Sequence, residues 1–195
     1  MTRWKRPPAR FRTTGAEAHP VLPTDAVFGP VFAAGLCAAS VSDLFHRRVP
    51  NTLNFAFAGV GLVGQALAFG LQGVTFGLLG LGVALAVVLL PFALGVYRGG
   101  DAKLVMALGV WLGAERVVWA FLAGALLGGA LALFTAWRRG ALRDTLARLK
   151  TAAATRALPQ VEADRPATAH VPMAPAFAAG AALSVYTALH PGVLL

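Results

Sequence analysis

Charge is scarce in this chain, and acidic side chains are the scarcest. Of the 195 residues, 13% are charged, 57% are hydrophobic and only 8 are Asp or Glu. A soluble domain usually carries about 25% charged residues. The stretch from Val49 to Tyr97 has no Asp, Glu, Lys, Arg or His, which is enough for two membrane crossings of about 20 residues each. The composition therefore excludes a soluble domain and predicts an integral membrane protein.

Cysteine is almost absent as well. Cys37 is the single cysteine, so the chain can form neither an intrachain disulfide nor a cysteine-based zinc site. Cys37 lies inside an apolar segment and is expected to be a small packing residue. That segment ends without a small-residue cleavage pattern, so we expect a retained membrane span and not a signal peptide.

The apolar runs and the turn residues between them predict an all-α, polytopic membrane helical bundle. We expect one membrane domain over residues 26–190, with about six hydrophobic segments. The segments are expected at about 26–44, 53–69, 74–96, 101–112, 117–137 and 171–189. The segment at 101–112 is short, because at ~1.5 Å per residue it spans only about half of a bilayer core. We expect Gly99 and Gly100 to break the helix before it.

Two parts of the chain differ from this apolar pattern. Residues 1–25 are basic and rich in proline, and are expected to be a disordered tail. Residues 138–169 form a basic connection, expected to lie partly as an amphipathic helix on anionic lipid. The net charge of +9 is explained by such flanking Lys and Arg, so we expect membrane lipid and no nucleic acid as a partner.

The distribution of Lys and Arg also predicts an orientation. If Asp43 faces the cytoplasm, the connections on that side hold nearly all the basic residues after residue 26, and the opposite loops hold only Arg116. The positive-inside rule favours that arrangement. The basic tail at 1–25 conflicts with it, because the tail would lie on the opposite side.

Only two acids combine proximity to the membrane with a shared side. Asp43 ends the first apolar segment and Asp101 begins the short one, and two crossings between them return the chain to the same side. Two neighbouring carboxylates can share one proton and activate a water molecule. Structural roles remain open at this point: Asp43 can pair with Arg47, and Asp101 can cap a helix amino terminus.

The residues around these acids carry two motifs. The first reads Asp43-Leu44-Phe45-His46-Arg47-Arg48-Val49-Pro50-Asn51, and the second reads Arg98-Gly99-Gly100-Asp101-Ala102-Lys103. Together they resemble the prepilin peptidases, membrane aspartic proteases related at motif level to presenilin-like enzymes. Their patterns are Asp followed by basic residues and Ile/Val-Pro-Asn, and Gly-x-Gly-Asp-x-Lys. The resemblance covers about residues 26–190.

The resemblance implies an aspartic endopeptidase with Asp43 and Asp101 as catalytic residues and no metal or organic cofactor. It implies supporting roles for these residues: Arg47, Pro50, Asn51, Gly100 and Lys103. The substrate would be a prepilin or pseudopilin precursor, cleaved at the cytoplasmic face of a bacterial inner membrane. The small size is similar to that of the peptidases that serve Flp-type (tight-adherence) pili, and the Cys-x-x-Cys loop of larger, methylating relatives is absent.

The chain departs from the family pattern at Arg98, where the family has glycine. We expect position 98 to tolerate change, with its side chain near lipid phosphate. Gly100 is expected to be intolerant, because glycine takes backbone angles barred to other residues. Two other functions compete with the peptidase: a small proton-coupled transporter that uses the two acids, and a structural subunit of a secretion system.

Overall fold

The computed structural model describes residues 27–94, 96–138, 140 and 172–190. Within these ranges the regular structure is helical, with no strand, and the helices are α1 (Phe28–His46), α2 (Asn51–Ala93), α3 (Gly99–Arg138) and α4 (Ala174–Leu189). Helices α1, α2 and α3 are long and apolar enough to cross a membrane, and α4 is a shorter apolar helix. The fold is an all-α membrane helical bundle, as predicted. The expected disordered tail at 1–25 and, apart from Gly140, the basic connection after Arg138 lie outside the described residues.

Two glycines divide the longest helices. Gly70 has φ 60° and ψ −140° within α2, and Gly113 has φ 75° and ψ 178° within α3. Side chains are strongly disfavoured at such positive φ values, and glycine is not. The described part of the chain therefore contains six helical segments, because α2 separates into 51–69 and 71–93 and α3 into 99–112 and 114–138. The short segment expected near 101–112 is one of them.

The short segment 99–112 is buried along most of its length and packs at the centre of the bundle. Trp111 is fully buried and its Nε1–H donates to the carbonyl oxygen of Phe57 at 2.9 Å. Gly61 makes room for it, because a Cβ there would lie 2.6 Å from Trp111 Nε1. The ring of Phe57 stacks on Trp111 at 5.2 Å between centroids, with Phe32 of α1 beside both. This packing fixes α3 against α2 and so orients the amino end of α3.

Helix α4 packs against the second half of α3. A Cβ on Gly124 would lie 2.6 Å from Phe177 Cδ1, and one on Gly180 would overlap the carbonyl oxygen of Ala120. Small residues at such contacts let two helix backbones approach closely. A hydrogen bond also joins the two helices, since Ser184 Oγ donates to the carbonyl oxygen of Arg116 at 3.1 Å. The close contact brings the amino end of α4 to the end of the bundle that holds the two acids.

Candidate active site

The end of α1 and the beginning of α3 bring the two singled-out acids together. Asp43 lies in the last turn of α1 and Asp101 in the first turn of α3. Both are buried, at 6% and 7% exposed. They line one cavity of about 420 Å³. The other residues that line it are Arg47, Arg48, Val49, Pro50, Asn51, Arg98 and Gly100.

Asp43 is held by the amino end of α4. Its Oδ2 accepts a hydrogen bond from the backbone N–H of Ala174 at 2.9 Å, in a buried contact between residues 131 positions apart. The amino end of a helix carries a partial positive charge and exposes N–H groups without helical partners. The contact therefore holds the Asp43 carboxylate against the amino end of α4.

Asp101 has a weaker partner. Its Oδ2 accepts the backbone N–H of Arg98 at 3.4 Å, at the long end of hydrogen-bond geometry. Because α3 begins at Gly99, the contact reaches back to the residue just before the helix, as capping side chains in a first helical turn do. The capping role considered from the sequence is therefore present in a weak form, and it leaves the carboxylate in the cavity beside Asp43.

A tight turn at 47–50 forms one wall of the cavity. Arg47 has φ 51° and ψ 31°, in the left-handed region, and its N–H donates to the carbonyl oxygen of Asp43 at 2.9 Å. Ser42 Oγ donates to the carbonyl oxygen of Arg48 at 2.9 Å. Pro50, with φ −60° and ψ 140°, is the N-cap residue just before α2, where a proline lacks no needed helical hydrogen bond. Val49 and Pro50 of this turn line the cavity together with the two acids.

The beginning of α2 is tied to the beginning of α3. Lys103 Nζ donates to Asn51 Oδ1 at 2.8 Å, and Asn54 Nδ2 donates to the carbonyl oxygen of Gly100 at 3.0 Å. Lys103 is therefore next to the site through Asn51 and does not line the cavity. Asn54 is 2% exposed, and its Oδ1 has no partner within the described residues. Asn54 was not among the residues expected at the site, although it lies three residues after Asn51, on the same face of an apolar helix.

One expectation about the second motif is wrong. Gly99 and Gly100 do not break a helix, because α3 begins at Gly99 and Gly100 has a helical backbone with no positive φ. The space at Gly100 is limited instead by the turn: a Cβ there would lie 3.1 Å from the carbonyl oxygen of Val49. The Arg98 guanidinium does contact protein, since its Nη1 donates to the carbonyl oxygen of Arg47 at 2.9 Å, and its expected position near lipid phosphate stays a prediction.

Tyr97 is a further neighbour that the sequence did not indicate. It lies between α2 and α3, and its ring meets the edges of Phe121 and Phe177. Burial raises the pKa of the Tyr97 hydroxyl, and the Asp101 carboxylate raises it further. The phenol therefore stays protonated at neutral pH and can act only as a neutral group beside Asp101.

The ionisable groups of the site are two carboxylates with several guanidinium groups around them. Within residues 27–94, 96–138, 140 and 172–190, no cluster of three or more His, Cys, Asp or Glu side chains forms a metal-binding group. Buried carboxylate pairs of this kind support proton transfer, because one acid can hold a proton while the other is ionised.

The fold and the site define a helical membrane protein with a buried pair of acids. Comparison with known protein families assigns the chain to one of them. It belongs to the type IV leader peptidase family, whose model matches residues 30–133. This match includes both acids and every residue that lines the cavity, and it ends before α4. No curated protein and no solved structure matches the chain. Membership indicates a membrane peptidase, a hydrolase, that acts in general on prepilin-type substrates.

Proposed function

We propose that this protein is an aspartic endopeptidase that removes the leader peptide from prepilin-like precursors, with Asp43 and Asp101 as its catalytic pair. The observation that carries the proposal is the shared cavity, because two buried acids from helix ends 58 positions apart line it together. The peptidase family match supports this reading over a transporter or a structural subunit. Burying two negative charges side by side is costly in free energy. The cost falls when the two carboxylates share one proton, because only one of them is then charged.

The hydrogen bonds support different roles for the two acids. Asp43 accepts the shorter bond, from Ala174 N–H at the amino end of α4, and would stay ionised as the general base. Asp101, for which the described residues supply the long bond from Arg98 N–H, would hold the proton of the pair. Asp43 would take a proton from water as the water attacks the scissile carbonyl carbon, while Asp101 gives its proton to the carbonyl oxygen.

Breakdown of the tetrahedral intermediate then restores the pair. The proton on Asp43 passes to the departing peptide nitrogen as the C–N bond breaks, and Asp101 takes back a proton from the hydroxyl that becomes the new carboxyl group. The two acids thus exchange roles without a net gain or loss of protons. The Asn51–Lys103 and Asn54–Gly100 contacts would hold α2 and α3 in the required register.

The orientation and biological setting are part of the same proposal. Arg47, Arg48, Arg98 and Lys103 lie at the end of the bundle that holds the acids. The positive-inside rule favours a cytoplasmic position for that end, in a bacterial inner membrane. The resemblance to the short peptidases that serve Flp-type pili supports that biological setting.

Co-expression with a candidate prepilin tests the proposed function. We expect the precursor to lose its leader at one bond, seen as a single product in the mass spectrum. The control is the same prepilin co-expressed without this protein. A precursor that remains intact with several candidate prepilins, while this protein is in the membrane, would contradict the proposal.

A further inference from the structure

Arg98 connects the two segments that carry the acids. It lies between α2 and α3, and it stands where the resembled family pattern has glycine. Its backbone N–H donates to Asp101 Oδ2 at 3.4 Å. Its Nη1 donates to the carbonyl oxygen of Arg47 at 2.9 Å, across 51 positions of sequence. Arg98 therefore contacts both Asp101 and the turn that follows Asp43.

The turn that Arg98 contacts has an unfavourable backbone. Arg47 is the one described residue other than glycine with positive φ, at 51°. A left-handed conformation is disfavoured for such a residue, and it persists only when neighbouring groups fix it. The Arg47 N–H is fixed by the carbonyl oxygen of Asp43, and the Arg47 carbonyl oxygen by the Arg98 guanidinium. Hydrogen bonds from a charged donor are stronger than neutral ones.

We propose that Arg98 is a positioning residue that fixes the separation of Asp43 and Asp101 by holding the 47–50 turn against the beginning of α3. This inference rests on the proposed function. Arg98 would act through the two acids and not by binding the peptide. The side-chain contact takes the place of the conformational freedom of glycine, so we expect position 98 not to tolerate change, which reverses the expectation from the sequence.

Three variants at position 98 separate the possible roles. Arg98→Gly removes the guanidinium contact and restores the family residue, Arg98→Gln removes the charge, and Arg98→Lys keeps the charge and a donor. The matched control is Arg116→Gln. Arg116 Nη1 also donates to a backbone carbonyl, that of Ser184 at 3.5 Å, but it does not line the cavity. Each purified variant is assayed for kcat and KM on a prepilin and for hydrogen exchange in residues 44–51.

We expect Arg98→Gly to lower kcat about tenfold or more with KM within about twofold, because small displacements of catalytic groups are costly in rate. Amide exchange in residues 44–51 should rise. Arg98→Lys should recover a substantial part of kcat. Arg116→Gln should leave kcat per folded molecule and exchange at 44–51 unchanged, even if its unfolding temperature falls.

Three results would overturn the inference while wild-type protein cleaves. A raised KM with unchanged kcat would make Arg98 a substrate contact. Unchanged kcat and exchange in Arg98→Gly would leave the residue without a positioning role. A rate loss that appears only in anionic lipid would assign it to lipid phosphate. Wild-type protein that does not cleave any prepilin would instead overturn the proposed function itself.

Discussion

Gly100 offers a sharp test of how the turn and α3 are packed together. A Cβ at this position would lie 3.1 Å from the carbonyl oxygen of Val49, 3.5 Å from its nitrogen and 3.6 Å from its Cβ. Alanine needs a shift of only a few tenths of an ångström, and it gains roughly 0.5–1 kcal/mol over glycine inside a helix. Valine adds two more methyl groups beside the same backbone, and overpacking of this kind costs about 1–3 kcal/mol.

The displaced backbone belongs to the cavity wall, since Val49 and Gly100 both line it. A catalytic group misplaced by about 1 Å can lose about 10²-fold in rate. We therefore expect Gly100→Val to lower processing by about 100-fold and Gly100→Ala to lower it by less than tenfold. The assay is the fraction of prepilin cleaved over time, measured by mass spectrometry and normalised to the folded protein in the membrane.

The neighbouring glycine is a matched control. Gly99 is in the same helical turn, but a Cβ there has a single neighbour within 4 Å, Phe92 Cε2 at 4.0 Å. Gly99→Val therefore makes the same change in helix propensity as Gly100→Val, but without the contact with Val49. We expect it to process prepilin nearly as the wild type does. Wild-type rates in Gly100→Val, or equal losses at both positions, would refute the packing argument.

Further predictions concern the helix contacts and the orientation. Gly180→Val should lower processing at least tenfold by pushing α4 from α3, because a Cβ there overlaps the backbone of α3, whereas Gly129→Val, with nothing within 4 Å, should not; equal rates would count against a role for α4. Lys103→Met should reduce processing less than tenfold, because its bond to Asn51 is exposed; complete loss would assign Lys103 a direct role. A reporter fused after Asn51 should behave as cytoplasmic and one at Glu115 as periplasmic, and the reverse pattern would contradict the orientation.

The helical segments could be predicted because apolar runs and glycines are local signals. The breaks at Gly70 and Gly113 fall at turns expected from the sequence, since glycine takes the positive φ values that a reversal needs. The shared side of Asp43 and Asp101 followed from counting crossings. Their common cavity agrees with that expectation, while their catalytic roles remain predictions.

The contacts that complete the site could not be predicted in the same way. The N–H that Asp43 accepts comes from the backbone of Ala174, 131 positions away, and a backbone donor leaves no side-chain signature. The central position of segment 99–112 depends on packing against α2 that its short length does not reveal. Gly100 was expected to be needed for its backbone angles, and the structure indicates that it is needed for its small size. Glycine can be required for either reason, and the sequence does not distinguish the two.

The most direct test of the catalytic pair is processing by purified Asp43→Asn, Asp101→Asn and the double variant, beside Glu115→Gln. Glu115 is an exposed acid of α3 that does not line the cavity. We predict that each single Asn variant loses about 10²–10⁴-fold in cleavage rate. The double variant should be little worse than either, because the two acids act as one unit. Glu115→Gln should cleave as the wild type does. Substantial cleavage by either folded single Asn variant would contradict the assignment of Asp43 and Asp101 as the catalytic pair.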